Sequence, residues 1–199
     1  MSGQGVTRRD VLRTLAAGAV GGSVLQVIPA KAAEYAHQMV HNEKAAAAMA
    51  GKYAPKFFDA HQYQTLNSLC DTILPKDEKS GGAIETGAPE FIDLLTSENE
   101  EFQVKLGGGL LWLDSRCVDQ YGKVYLECTA GQRKEILDLI AYRKNAKADA
   151  SLSQGVAFFA FLRDFTCDGY YTSKIGIEDL QYIGNVARSE WPGCPDLPG

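Results

Sequence analysis

The sequence predicts an all-α protein: a single domain of about six helices around one core with long loops, preceded by a cleavable signal. Three observations predict it. Apolar residues recur at helical spacing in segment after segment, and no segment shows a convincing run of period-two alternation. Two capping boxes mark helix starts, Asp59 with Gln62 and Thr129 with Gln132. Pro75 and Gly122 fall where helices should stop.

The leader comes first. Arg8, Arg9 and Arg13 stand before a weakly apolar stretch from Thr14 to Ile28 that is interrupted by Gly18, Gly21 and Gly22. A membrane span needs about 20 mostly apolar residues, so this stretch is too short and too rich in glycine. Ala30-Lys31-Ala32 is a small-residue cleavage site, which places the cut between Ala32 and Ala33. The string Thr7-Arg8-Arg9-Asp10-Val11-Leu12-Arg13 resembles the twin-arginine export signal S/T-R-R-x-F-L-K, departing from it only at Val11 and Arg13. Residues 1–32 are therefore read as a twin-arginine signal peptide addressed to the periplasm, and Arg8 and Arg9 as the pair the translocase reads.

Residues 33–56 form an Ala-rich lead-in arm with a thin apolar face, expected to be extended or helical and to pack poorly alone. His37 and His41 are four apart, a spacing used by helical metal sites, but no third ligand accompanies them and the pair is read as solvated. The helical domain is assigned to residues 57–199. Tyr63, Leu66, Leu69, Cys70, Ile73 and Leu74 follow the first capping box, and Pro75 ends that helix. After a polar loop from Lys76 to Gly82, Phe91, Ile92, Leu94 and Leu95 give a short helix from about Pro89 to Leu95.

A longer helix is predicted from Glu98 to Tyr121. Its acidic first turn suits the positive end of the helix dipole, and Leu106, Leu110, Leu113 and Cys117 line one side. Gly107-Gly108-Gly109 lies inside it. No Lys follows in the G-x-x-x-x-G-K-[ST] pattern, so this is not a phosphate loop. Each glycine costs a helix about 1 kcal/mol relative to alanine. Close approach to another backbone is the expected reason, with a helix break as the alternative. Thr129 opens the next helix, carrying Ile136, Leu137, Leu139, Ile140 and Tyr142, and Asn145 to Ser153 reads as a polar connection. A last helix runs from about Gln154 to Asp168, ended by Gly169-Tyr170-Tyr171, before an irregular close around Trp191.

Composition excludes several functions. Residues 1–32 hold four basic groups and one acid, so the rest carries 16 basic against 24 acidic residues, a net charge of −8. Nucleic acid is not an expected partner, because phosphate binding needs basic clusters. Cys70, Cys117, Cys128, Cys167 and Cys194 contain no C-x-x-C and no C-x-x-C-H, so neither a zinc ribbon nor covalent haem is expected on this chain. Five is odd. The cysteines are read as buried thiols with one or two structural bridges, or as including an intersubunit bridge. No dinucleotide fingerprint and no G-x-S-x-G elbow occurs. The carboxylate pairs Asp114/Asp119 and Asp164/Asp168 are read as solvated faces. The rings of "FFAFLRDFTCDGYY" do not share one stripe, and a chain of this size has difficulty burying them all. Phe158, Phe159, Phe161, Tyr170 and Tyr171 are therefore candidates for a partner interface, with core packing as the competing reading.

Several strings, taken in order, resemble a known family: the twin-arginine signal, "FFDAHQYQTLNSLCDTILPKD", "GGAIETGAPEFIDLL", "GGGLLWLDSRCVDQYG", "TAGQRKEILDLIA" and "FFAFLRDFTCDGYYTSKIGI". The chain is similar to the gluconate 2-dehydrogenase subunit 3 family, the small or gamma subunit of membrane-associated FAD-dependent sugar and polyol dehydrogenases. The resemblance implies a non-catalytic subunit that binds a large FAD-bearing dehydrogenase subunit, helps it mature and carries it through the twin-arginine translocase. A quinone or a cytochrome c subunit carrying haem c then accepts the electrons. It implies no catalytic, cofactor-binding or metal residue on this chain. The competing readings are a stand-alone periplasmic enzyme built on His61 and nearby carboxylates, and a binding or scaffold protein without a flavoprotein partner.

Overall fold

Local capping chemistry sets most of the helix starts. In the computed structural model, which describes residues 33–34, 36–40 and 53–184, the first helix of the domain, α1, spans Ala60–Ile73. The Asp59 carboxylate accepts from the Gln62 N–H at 2.8 Å, and the Gln62 side chain accepts from the Asp59 N–H at 3.3 Å. Leu74 closes α1 immediately before Pro75. Two short helices follow, α2 (Ala83–Thr86) and α3 (Ala88–Ser97), joined at Gly87. α2 lies between the predicted loop, which ends at Gly82, and the predicted short helix.

The long helix has a more complex course than predicted. Asn99 caps a short α4 (Glu100–Phe102), a wide π turn follows over Gln103–Gly107, and α5 continues over Gly108–Tyr121. The backbone stays right-handed helical across both junctions. The glycine run therefore does not break the helix; it accompanies a π turn. Gly122, at φ 69°, ends α5 in the left-handed region that glycine tolerates best.

A single 3-10 turn at Tyr125–Glu127 leads to α6 (Ala130–Ile140), opened by the Thr129/Gln132 capping box. Tyr142, expected inside this helix, instead caps α7 (Arg143–Ala148). The stretch expected as a polar connection thus contains α7 and a 3-10 turn at Ala150–Leu152. α8 runs over Ser153–Tyr171, so Gly169, Tyr170 and Tyr171 form its last turn. Ser173 caps α9 (Lys174–Asp179), its hydroxyl accepting from the Gly176 N–H at 3.0 Å. The all-α prediction holds, with nine α-helices among the described residues in place of about six.

α8 is the hub of the bundle and packs on α3, α5, α7 and α9, with α1, α2 and α6 also against it. Leu66, Leu69, Ile92, Leu113 and Ile136 of the other helices are fully buried, as is its own Leu162. The lead-in contributes as well. Ala33, Ala36 and Val40 are buried in the same core, so this part of the arm packs better than its composition suggested. Residues 53–58 are fastened by Asp93 of α3. Its buried carboxylate accepts from the Tyr53 hydroxyl at 2.8 Å and from the backbone N–H groups of Lys56, Phe57 and Phe58 at 2.7, 3.1 and 3.2 Å.

α5 and α8 seat into each other reciprocally. A Cβ at Gly109 on α5 would lie 1.9 Å from the Phe158 ring of α8, and a Cβ at Gly155 on α8 would lie 2.2 Å from the Trp112 ring of α5. Each helix thus offers a glycine followed three residues later by an aromatic ring, and each ring fills the other's gap. The close packing expected of the glycine run is present, but the partner is an aromatic ring instead of a backbone. Gly109→Ala should lower stability by roughly 1–3 kcal/mol, the usual cost of overpacking a filled site. Gly131→Ala, in α6 with nothing within 4 Å of the new methyl, should raise it by about 0.5–1 kcal/mol through helix propensity. Urea unfolding of the two variants checks both signs.

Candidate functional site

The aromatic helix α8 turns most of its rings into the bundle. Phe158 and Tyr170 are buried, at 3% and 4% exposure. Phe158 fills the Gly109 seat, and the Tyr170 hydroxyl donates to Asp179 at 3.2 Å. Phe159 and Phe161 are partly buried and packed against the core, the latter tilted against Phe102 and Phe165 with the Lys105 ammonium 4.8 Å from its ring centre. Of the five expected interface rings, Tyr171 alone is exposed. The expectation is corrected accordingly. Helices pack on more than one side of α8, so rings that miss a single stripe still find cover.

The open apolar surface lies elsewhere. Val104, Leu111 and Val118 are 75%, 62% and 47% exposed. They recur every seven residues along the outward side of the π turn and α5, opposite the buried Leu106, Leu110, Leu113 and Cys117. Tyr171, Ile177, Leu180, Tyr182 and Ile183 form a second exposed apolar group at the end of α8 and around α9. The seven-residue recurrence is present in the sequence, but its exposure depends on which side of α5 the bundle covers.

The polar groups singled out by the sequence are occupied structurally. His61 Nε2 and Asp114 Oδ2 are 2.6 Å apart, while Asp114 Oδ1 accepts from the Tyr125 N–H at 2.9 Å. This pair therefore ties α1 and α5 to the turn that follows α5. Arg133 on α6 clamps the same turn, donating to the carbonyls of Tyr125 at 3.0 Å, Cys128 at 3.1 Å and Leu126. Its guanidinium also lies 5.3 Å from the centre of the Tyr125 ring.

Among the described cysteines Cys70, Cys117 and Cys128 are buried thiols and Cys167 is a partly buried one, with no bridge between them. Burial pushes the Cys70 thiol up to about 12, and its sulfur lies 3.6 Å from the Thr166 hydroxyl. No three metal-ligating side chains cluster among the described residues. No helix among them is long and apolar enough to cross a membrane. Arg8, Arg9, Ala32, His41 and Cys194 lie outside the described residues, whereas Ala33 is buried in the core.

Like Asp114, two further groups read as solvated are not. His37 stacks on Phe91 at 4.8 Å between ring centres, meets the Thr172 hydroxyl at 2.7 Å, and is pulled down to about 4 by burial. Asp168 is pushed up to about 6, by burial first and by the Asp164 charge second. The two act on stability with opposite signs. As pH falls from 6.5 to about 4, the unfolded chain protonates this histidine and the folded chain does not, so His37 costs stability on acidification. Between about 6 and 3.8 the folded chain takes up the Asp168 proton first, so Asp168 adds stability on acidification. Relative to the parent, His37→Phe should therefore gain in thermal midpoint as pH drops from 7 to about 4, and Asp168→Asn should lose. Midpoints measured across that range check this; parallel curves contradict it.

The family model described as gluconate 2-dehydrogenase subunit 3 matches residues 60–193. The match begins at the first residue of α1 and takes in every labelled helix. The chain belongs to that family. No curated protein and no solved structure matches the chain.

Proposed function

We propose that this chain is the non-catalytic small subunit of a periplasmic FAD-dependent dehydrogenase that oxidises a sugar, sugar acid, polyol or glucoside. The family match over residues 60–193, to a family named as a subunit, carries the reading. The twin-arginine pattern at Thr7–Arg13 supports the export half of it. In this account Arg8 and Arg9 supply the address and the helical domain supplies the grip. The flavin, and any haem c, belong to other subunits. The signal is built for cargo that is already folded, and the cargo here is the partner.

The exposed stripe of Val104, Leu111 and Val118 is the surface we assign to that grip. Large apolar side chains at this exposure cost free energy in water and gain it when a partner covers them. They lie on the outward side of a segment whose inner side is held by the α5–α8 seat, so the stripe is presented on a firm support.

Two experiments follow, each with the chain expressed beside the large flavoprotein subunit that this reading requires from the same host. Arg8→Lys with Arg9→Lys should leave dehydrogenase activity in the cytoplasm; fully periplasmic activity overturns the escort role. Val104→Glu with Leu111→Glu should keep helix content by circular dichroism and lower the co-purified flavoprotein at least about tenfold, which needs only about 1.4 kcal/mol. An unchanged yield removes the stripe as the docking face. Sugar oxidation by the purified chain alone would contradict the non-catalytic assignment.

A further inference from the structure

Cys117 and Cys128 lie where the turn after α5 is tied back to that helix. Cys117 lies on the buried side of α5, one turn before its end, and Cys128 directly follows the 3-10 turn at Tyr125–Glu127. Asp114, three residues ahead of Cys117, holds the turn to α5 through the Tyr125 N–H at 2.9 Å. Arg133 holds the Cys128 carbonyl from the other side at 3.1 Å. The Cys128 thiol points back to the end of α5, donating to the Lys123 carbonyl at 3.8 Å, and its charge adds to the burial that raises the Cys117 thiol; both sulfurs are buried. Cys70 lies elsewhere, against the Thr166 hydroxyl of α8 at 3.6 Å.

We propose that Cys117 and Cys128 are an oxidation-competent pair that closes into an intrachain disulfide when the folded chain meets a disulfide donor. Where that meeting takes place rests on the export reading above: thiols in the reducing cytoplasm, a bridge in the oxidising periplasm. The donor is an oxidised dithiol protein or oxidised glutathione. Cys128, on the connecting turn, attacks a donor sulfur as thiolate and forms a mixed disulfide, and the donor's other sulfur leaves as thiolate. Cys117 then gives up its proton and attacks the Cys128 sulfur, expelling the second donor thiolate. Two protein thiols lose two protons and two electrons, and the donor disulfide takes up both electrons to become two thiols. Burial pushes Cys117 up to about 12. The exchange therefore proceeds through a local opening of residues 122–129 and is slow while the turn stays docked.

The bridge would close a short loop and lower the entropy of the unfolded chain, raising the thermal midpoint by roughly 5–10 °C. It would also lock the turn onto α5 after export.

Trypsin cuts after Arg116, Lys123 and Arg133, which places the two cysteines on separate peptides, 117–123 and 124–133. The purified chain is incubated in oxidised glutathione, blocked with iodoacetamide and digested without reduction. The two peptides should appear joined and should separate with dithiothreitol. Both peptides carrying free, alkylated thiols, or Cys128 joined to another cysteine, overturns the proposal. Stability gives an independent readout. Cys117→Ser and Cys128→Ser should lower the midpoint equally in the oxidising buffer, with no further loss in the double variant. A parent midpoint identical in oxidising and reducing buffers contradicts the bridge. Mapping the chain taken from its native cells tests the compartment separately. Thiols there, with a bridge formed in vitro, count against export and leave the pair intact.

Discussion

The fold depends on the mutual seating of α5 and α8. Two helices can approach this closely only where one side presents no Cβ, and here each helix supplies such a gap for the other's ring. Gly109 and Trp112 on one side meet Phe158 and Gly155 on the other. The cost of placing glycine in a helix is offset by burying two large aromatic surfaces. Because α8 also carries Leu162 and Phe165 into the centre, fixing its position against α5 fixes the core that the other helices cover. The π turn before Gly108 belongs to the same constraint, since it lies where the helix enters this contact.

Much of this was legible where the determinant is local. Asp59 with Gln62, Thr129 with Gln132, Pro75 and Gly122 each act within a few residues, and each helix boundary they marked is present. The glycine run announced a close approach without naming its partner, because the partner lies about fifty positions away on α8. The short helices escaped notice for a physical reason. Ala83–Thr86 is a single turn between glycines, and Arg143–Ala148 buries no residue, so neither carries an apolar period to read.

The candidate surface was less legible. Burial of Phe158 and Tyr170 depends on how many helices surround α8, and no window of sequence reports that number. Exposure of Val104, Leu111 and Val118 follows from the orientation that the α5–α8 seat imposes. His37 and Asp168 were misjudged in the same way, since their surroundings come from Phe91, Thr172 and Asp164. Polar residues in this chain mostly serve the fold. Asp93 anchors the lead-in, and Asp114 and Arg133 hold the turn after α5. What remains on the outside includes an apolar stripe on a supported helix, the form that the proposed docking role requires.

The central claim is that this chain works by binding a flavoprotein, and recovery of the tagged chain from its native host tests it most directly. Mass spectrometry and the flavin absorption spectrum of the purified material give the answer. The account expects a stoichiometric large subunit carrying FAD. A monomer recovered without flavin and without a partner, even with the leader attached, would contradict it.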